Sequence, residues 1–294
     1  GDPACVPEIL AAIATAGGDQ VLLHSLTYAL IELAAAAEIR NGLVQDTESN
    51  LVRIAALTAL DQMRPAGIDQ QDVVPLMFNT DAELRDSAWG ILATHPEWLE
   101  EDSGGSHSPA MNAIISNASS EITQEKLIQV IDRLPRMQEI IGQWAASQSA
   151  TSTSTDDKKR ALAMRVISDA RVAPVPESWL PVHLMQLTAG TPAQRKAAVI
   201  ALTSAPLPEK PDATLAPIRD NLRAFALTPS ESFELRLRAG EASLAKREGE
   251  PLSDPIAELA LSGLSSDQPA ARRTAADIFT TASAALTATQ RTAL

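Results

Sequence analysis

The four histidines and the single cysteine are the residues of this sequence best suited to metal binding or nucleophilic chemistry. His24, His95, His107 and His183 lie far apart and share neither HExxH nor HxH spacing, so the pattern predicts no zinc site. Cys5 stands alone, which excludes an intrachain disulfide, a thiolate zinc site and the CxxCH attachment of a c-type haem within these residues. We therefore predict neither metal ligands nor a cofactor.

Paired carboxylates and glycine-rich turns, which often supply catalytic groups, have a structural interpretation here. Glu100-Glu101 and Asp156-Asp157 lie in polar tracts, whereas catalytic carboxylates need burial. Gly104-Gly105 lies in a serine-rich stretch without a following lysine, and no GxSxG, phosphate-loop or EF-hand pattern occurs. The sequence predicts no catalytic residue, and the chain by itself is not expected to be an enzyme.

The charge balance excludes a second class of function. The formal net charge is −13, from 37 acidic and 24 basic residues, whereas phosphate binding needs clustered Lys and Arg. The longest basic run, Lys158-Lys159-Arg160, directly follows two aspartates and is typical of a solvated helix start. We predict no nucleic-acid partner, while the acidic excess suits a basic protein. No run approaches 18 apolar residues, so membrane insertion is not predicted either.

Several aromatic residues lie at helical spacing and favour core packing. The stretch DQVLLHSLTYALIELAAAAEI, from Asp19 to Ile39, is apolar on much of its circumference and is predicted to be a buried helix. His24 and Tyr28 lie four residues apart on it, which predicts a packed contact, with a ligand site as the alternative. The four tryptophans are predicted to lie in the core, with a recognition patch as the alternative; they are Trp89, Trp98, Trp144 and Trp179.

One arrangement recurs along the chain and organises it. In NTDAELRDSAWGILATHPEW, Asp81 is suited to cap a helix and Arg85 follows one turn later, with Ala88 three residues beyond the arginine. The same Arg-to-Ala spacing returns at Arg53, Arg85, Arg160, Arg195, Arg236 and Arg273. Successive positions are 32 to 41 residues apart, except for a gap of 75 residues after Arg85, which leaves room for one irregular unit.

These repeats predict an all-α fold, a right-handed α-solenoid of seven to eight helix pairs forming one domain over residues 1–294. An aromatic content of only 3% agrees with helices packed through Ala and Leu. Thr228 to Glu231 reads as a capping box with Pro229 at the first helical position. The tracts 100–109 and 147–155 are predicted to be flexible, and both chain ends to be cuts through a longer protein. The predicted units are 1–45, 46–79, 80–118, 119–150, 156–189, 190–227, 228–264 and 265–294.

A two-helix unit of this length, with a capping Asp and an Arg one turn later, resembles a HEAT repeat. The resemblance implies hydrogen-bonded ladders of Asp and Arg between successive units, with Asp81–Arg85 and Asp156–Arg160 as direct matches. Ser49, Thr191 and Ser232 take the place of the Asp in other units, which keeps a capping oxygen without its charge. The predicted ladder therefore comprises Arg53, Asp81, Arg85, Asp156, Arg160, Arg195, Arg236 and Arg273.

A narrower resemblance is carried by HSLTYALIEL, VRIAALTALDQM, VVPLMFNTDAELRDSAWGILATHPEW and RALAMRV followed by PESWL. These stretches are similar to large secreted proteins of planctomycetes and verrucomicrobia, named membrane-bound dehydrogenase or PVC-type haem-binding domain proteins. Such proteins join a β-propeller, a HEAT-repeat region and a cytochrome c domain. The resemblance implies that this chain is the middle region of a periplasmic or secreted protein, with those domains as its partners.

Two functions follow as hypotheses. The favoured one is a non-catalytic scaffold whose stacked helices hold a protein partner or neighbouring domains. The alternative is a part of a dehydrogenase or electron-transfer enzyme that contributes residues to a shared active site. The propeller's catalytic residues and the CxxCH motif are absent from these 294 residues, so neither activity is carried over to them.

Overall fold

The structure is a computed structural model, and it describes residues 2–44, 49–65, 67–100, 107–147, 153–208, 212–244, 252–282, 286–287 and 290. Within these ranges the chain is all helical and contains no strand, which confirms the predicted all-α class. Helices pack on their neighbours in sequence order, as in an α-solenoid. Contacts divide the chain into two compact units: Gly1–Met137 with Thr151–Leu162, and Gln138–Ala150 with Ala163–Leu294. The division into eight repeats stays a prediction.

The first unit is built from eight helices among the described residues, followed by two that cross the unit boundary. The eight are α1 (Val6–Thr15), α2 (Gln20–Leu33), α3 (Ala36–Val44), α4 (Asn50–Gln62), α5 (Gln70–Val73), α6 (Ala82–Thr94), α7 (Pro109–Ser116) and α8 (Glu121–Val130). The two that cross are α9 (Pro135–Ala146) and α10 (Ser154–Asp169). Short 3-10 helices cover Pro3–Cys5, Val74–Phe78, Pro96–Leu99 and Ile131–Arg133.

The second unit shows the repeat most regularly. Its helices are α11 (Leu180–Ala189), α12 (Pro192–Ser204), α13 (Asp212–Ala226), α14 (Phe233–Ala242), α15 (Asp254–Leu264) and α16 (Pro269–Thr281), with a 3-10 helix at Glu177–Trp179. In one layer α12, α14 and α16 contact each other in turn, and in the other α11 contacts α13. Small residues bring the layers together: a Cβ added to Gly263 of α15 would lie 2.7 Å from the Cβ of Ala275 in α16.

The repeated alanines show which positions of the pattern are equivalent. Ala56, Ala88, Ala163, Ala198 and Ala239 are all fully buried, so the helix face that follows the arginine points into the core in five units. In α16 the register is different, because Ala276 is exposed while Ala275 is fully buried. The residue equivalent to the other arginines is therefore Arg272, and the prediction of Arg273 was one residue too late.

The prediction of one buried helix from Asp19 to Ile39 is wrong. α2 ends at Leu33, since Ala34 adopts a left-handed conformation with φ of 51°. This conformation costs an L-residue about 1–2 kcal/mol, and it reverses the chain into α3. Only Leu30 of α2 is buried, whereas 78% of Val21 and 56% of Tyr28 are exposed. His24 is exposed too, so the predicted packed contact between His24 and Tyr28 does not form.

Two predicted helix starts are also corrected. Residues 228–231 form a turn, and α14 starts at Phe233 after its N-cap Ser232. The Thr228 hydroxyl donates to the Ala224 carbonyl oxygen of α13. In α10 the residue before the helix is Thr153, which exchanges hydrogen bonds with Asp156. Asp156 therefore lies inside the first turn instead of capping the helix. Residues 101–106 and 148–152 of the two tracts predicted to be flexible lie outside the described residues.

Candidate functional site

Asp81 and Arg85, the two residues on which the repeat pattern was recognised, both lie at the start of α6. Asp81 is its N-cap and accepts a hydrogen bond of 2.9 Å from the Leu84 backbone N–H. The Asn50 side chain, at the first position of α4, also bonds to this carboxylate, so a polar contact passes between two successive repeats. The Leu84 N–H bond is the main reason that the pKa of Asp81 lies below its usual value.

Arg85 does not pair with an aspartate of the next unit. Its Nη1 donates to the Asn79 carbonyl oxygen at 2.8 Å and to that of Thr80 at 3.3 Å. Asn79 ends the 3-10 helix Val74–Phe78, where carbonyl groups lack helical partners. From the same helix α6, the Trp89 indole donates to the Met77 carbonyl oxygen at 3.0 Å. Both side chains thus bind the end of the preceding helical segment.

The same contact occurs in other units at the fourth residue after the N-cap. The Arg236 Nε donates to the carbonyl oxygen of Ala226, the last residue of α13, at 2.8 Å. The Arg272 Nη1 donates to the Ser266 carbonyl oxygen at 2.7 Å. In the irregular fourth unit Gln124 takes this position and donates to the Ala118 carbonyl oxygen at 3.1 Å. The repeat pattern is marked by an arginine, so it does not identify Gln124 as an equivalent residue.

The remaining predicted ladder positions differ in burial. Arg53 is half-buried in α4 and follows its N-cap Ser49 by four residues, as Arg85 follows Asp81. Arg195 stands at the same place after the N-cap Thr191, but it is exposed. Arg160 is exposed and lies seven residues after Thr153, one turn deeper into its helix than the other arginines. The recurring contact is a side chain on a helix-end carbonyl oxygen, whereas the HEAT resemblance implies hydrogen bonds between Asp and Arg of successive units.

Two ion pairs that the sequence reasoning did not single out also join separate helices. In the first, the Arg40 Nε of α3 lies 3.1 and 3.0 Å from the two carboxylate oxygens of Asp72 in α5, and Nη2 bonds to the Gly67 carbonyl oxygen. In the second, the Lys126 Nζ of α8 lies 2.6 Å from Asp86 Oδ1 of α6. Each pair is distant in sequence, with no motif to mark it.

His95 lies in a polar cluster of the first unit. Its Nε2 lies 2.8 Å from Asp61 Oδ1 of α4, and its Nδ1 lies 2.8 Å from Glu97 Oε1. The imidazole also stacks on the Trp98 ring, with centroids 4.3 Å apart and planes 9° apart. Ionised carboxylates only accept hydrogen bonds, so both ring nitrogens must carry protons for both contacts to form. Burial alone lowers the pKa of His95, but the bonds to Asp61 and Glu97 outweigh it and raise that pKa.

The pKa of His183 is shifted in the opposite direction to that of His95. It is 1% exposed in α11, and its Nδ1 lies 3.2 Å from Gln186 Oε1. Burial away from any carboxylate partner disfavours the charged imidazole and lowers the pKa of His183 to about 4. The group is therefore neutral at physiological pH and serves as a hydrogen-bonded core residue.

Two of the four tryptophans lie in the core, which confirms the predicted core packing at these positions. Trp89 is 1% and Trp179 is 2% exposed. The Trp179 indole donates to the Gln138 carbonyl oxygen of α9 at 2.8 Å, and the Ser178 hydroxyl donates to the same oxygen at 3.2 Å. Trp98 and Trp144 are half-buried. Buried indole N–H groups need a partner, and both fully buried ones use a backbone carbonyl.

An open groove lies between α1 and α3, with a volume of about 700 Å³. Its α1 side consists of small and apolar residues, and its α3 side contributes Glu38, Asn41 and Gly42. At the floor, a Cβ added to Gly42 would lie 3.2 Å from the Leu10 Cδ1, so the absence of a side chain there lets α3 lie close to α1. The sequence reasoning did not find this groove, because it treated α2 and α3 as one helix.

The acidic excess of the protein is concentrated in the first unit. Gly1–Met137 with Thr151–Leu162 contains 22 acidic and 10 basic residues, a net charge of −12, whereas the second unit contains 15 and 14, a net charge of −1. The helices that form the groove share this acidic excess. Residues 2–44 contain five acidic residues and one basic residue, Arg40, which is bound to Asp72.

Across the described residues, no group of three or more His, Cys, Asp or Glu side chains is arranged to hold a metal ion. The described helices also include none that is long and apolar enough to cross a membrane.

Comparisons with known proteins give no family. No family model matches the sequence, and a comparison with curated proteins finds no match. Among solved structures, the chain is similar to the crystal structure of an engineered protein, with 16% sequence identity and a TM-score of 0.40 over 95% of this chain and 74% of that one.

Proposed function

We propose that this chain is a non-catalytic helical-repeat scaffold of the HEAT type, which holds a protein partner or neighbouring domains of a longer protein. The observation that carries this proposal is the use of its polar side chains. Within the described part of the chain, these polar side chains bind backbone carbonyls or partners on adjacent helices instead of converging on a cleft. Arg85, Trp89, Trp179 and Arg236 all bind carbonyl oxygens, and Lys126 pairs with Asp86.

These contacts favour stiffness between successive helices. A helical array in which each element contacts only its neighbours gains rigidity from such bonds and offers an extended surface for other proteins. The apolar groove between α1 and α3 and the exposed residues Val21 and Tyr28 of α2 add binding surface in the first unit. Such exposed apolar surface is typical of protein interaction sites.

The narrower proposal is that the chain is the middle region of a large secreted protein of the planctomycete and verrucomicrobial type. Its support is the sequence resemblance, which places a β-propeller before this chain and a cytochrome c domain after it. In that arrangement the chain itself binds no haem, and its partners are the two flanking domains. Reading the encoding gene tests this directly: a propeller upstream and a CxxCH motif downstream are expected.

A binding experiment tests the scaffold function itself. The segments encoded on either side are purified separately and mixed with the 294-residue chain, and complex formation is measured by size-exclusion chromatography with light scattering. We expect a defined complex with at least one of them, and the chain alone to be colourless and inactive on sugars and alcohols. Stoichiometric haem or metal in the chain alone, or turnover by it, would overturn the proposal.

A further inference from the structure

The groove between α1 and α3 has the shape of a helix-binding site. Its α1 side follows one face of the helix, with Pro7, Ala11 and Ala14 at spacings of four and three residues. A ten-residue helix is about 15 Å long, so the groove offers about that length of contact. Small side chains along it let a second helix approach closely, as in recognition of an amphipathic helix by a groove.

The charges around the groove select the kind of helix. Glu38 lines it directly. Asp2 and Glu8 are exposed: Asp2 directly precedes the 3-10 helix Pro3–Cys5, and Glu8 belongs to α1. Arg40 is the one basic residue within α1 to α3, and its guanidinium already donates to Asp72 and to the Gly67 carbonyl oxygen. A second copy of this chain would bring a further net charge of −13 to the contact, which disfavours self-association through this face.

From the groove and its charges we infer that α1 and α3 form a docking site for a basic amphipathic helix of a partner protein. Apolar side chains of that helix enter the groove along Pro7, Ala11 and Ala14, and one of its Lys or Arg residues pairs with Glu38. This inference rests on the proposed scaffold function, and it names the site and the chemistry of the partner.

The test uses the full 294-residue chain and a labelled helical peptide of about 18 residues, with leucine on one face and lysine on the other. A peptide with glutamate in place of every lysine is the probe control. Fluorescence anisotropy should show saturable binding of the lysine peptide that weakens by about tenfold or more as salt is raised from about 0.01 M to 0.15 M. The glutamate peptide should bind far more weakly. Equal binding of the two peptides, or no binding of the lysine peptide, would overturn the inference.

Matched variants locate the site. Ala14→Trp fills the groove, and Ala37→Trp changes an exposed alanine of α3 that does not line it. Glu38→Lys reverses a charge at the groove, and Glu83→Lys makes the same change in the first turn of α6. The groove variants should weaken binding by about fivefold or more, and the two controls by less than about twofold. Circular dichroism checks that each variant is folded.

The result also separates this inference from the scaffold function. If Ala14→Trp and Glu38→Lys leave peptide binding unchanged, the groove is not the docking site, whether or not the flanking segments bind. If those segments bind the chain through another surface, the scaffold function stands while the docking site is rejected.

Discussion

His95 Nε2 lies 2.8 Å from Asp61 Oδ1, and this contact joins the residue that follows α6 to the last turn of α4. The residues are 34 positions apart, close to one repeat, so the bond connects the C-terminal ends of α4 and α6. The bonds to Asp61 and Glu97 favour the charged imidazole and raise the pKa of His95 in the folded protein. The contact between these two repeats therefore depends on pH.

The first prediction concerns this dependence. The folded pKa of His95 is raised, so its stabilising contribution is fully present below the unfolded value of about 6.5 and is lost as pH rises through the folded pKa. The difference in the free energy of unfolding between the wild type and His95→Gln should therefore be larger at about pH 6 than at about pH 9. Urea unfolding at both pH values measures it. In Asp61→Asn, NMR titration should show a lower His95 pKa than in the wild type, and an unchanged value would contradict the assignment.

The contribution of His183 to stability should depend on pH in the opposite direction to that of His95. Its pKa falls to about 4 in the folded protein, so the unfolded chain binds the proton more readily between about pH 6.5 and 4. The stabilising contribution of neutral His183 is complete above this range and is lost as pH falls through it, by an amount on the order of 3 kcal/mol. Hydrogen exchange of α11 to α13 should accelerate accordingly on acidification. The loss should be much smaller in His183→Leu, and an equal loss in that variant would assign the effect to other groups.

The arginines that donate to helix-end carbonyl oxygens should differ in how much they stabilise the folded protein. Arg85→Ala leaves the Asn79 carbonyl oxygen without its donor and should cost about 1–3 kcal/mol in urea unfolding. Arg272→Ala, at an exposed site, should cost about 1 kcal/mol. The neighbouring Arg273→Ala is the matched control and should stay within about 0.5 kcal/mol of the wild type. A larger effect at Arg273 than at Arg272 would restore the register predicted from the sequence.

A pair of glycines tests the close packing of the layers. Gly263→Ala would place its Cβ 2.7 Å from the Cβ of Ala275 and 3.1 Å from Leu237, which should cost about 1–3 kcal/mol by overpacking. Gly90→Ala in α6 meets no atom within 4 Å, so it should stabilise by about 0.5–1 kcal/mol through helix propensity. Thermal unfolding of both variants measures the contrast. Similar effects of the two changes would mean that α15 and α16 are not in close contact.

The sequence by itself determined the helical class, most helix starts and the repeat itself. Helical spacing, N-caps such as Asp81 and Thr191, and Ala88 or Ala198 on the buried face are local signals, because each depends on residues within one or two turns. Burial of Trp89 and Trp179 followed from the same local pattern.

The tertiary structure alone decided the contacts between helices. Whether Arg272 or Arg273 reaches the Ser266 carbonyl oxygen depends on a one-residue difference in where α16 starts, and both arginines have an alanine three residues later. Pairing of Asp61 with His95 and of Arg40 with Asp72 joins residues about one repeat apart, where no local propensity acts. Exposure of α2 and the groove beside α3 follow from the reversal at Ala34, an alanine whose left-handed conformation only the surrounding packing can stabilise.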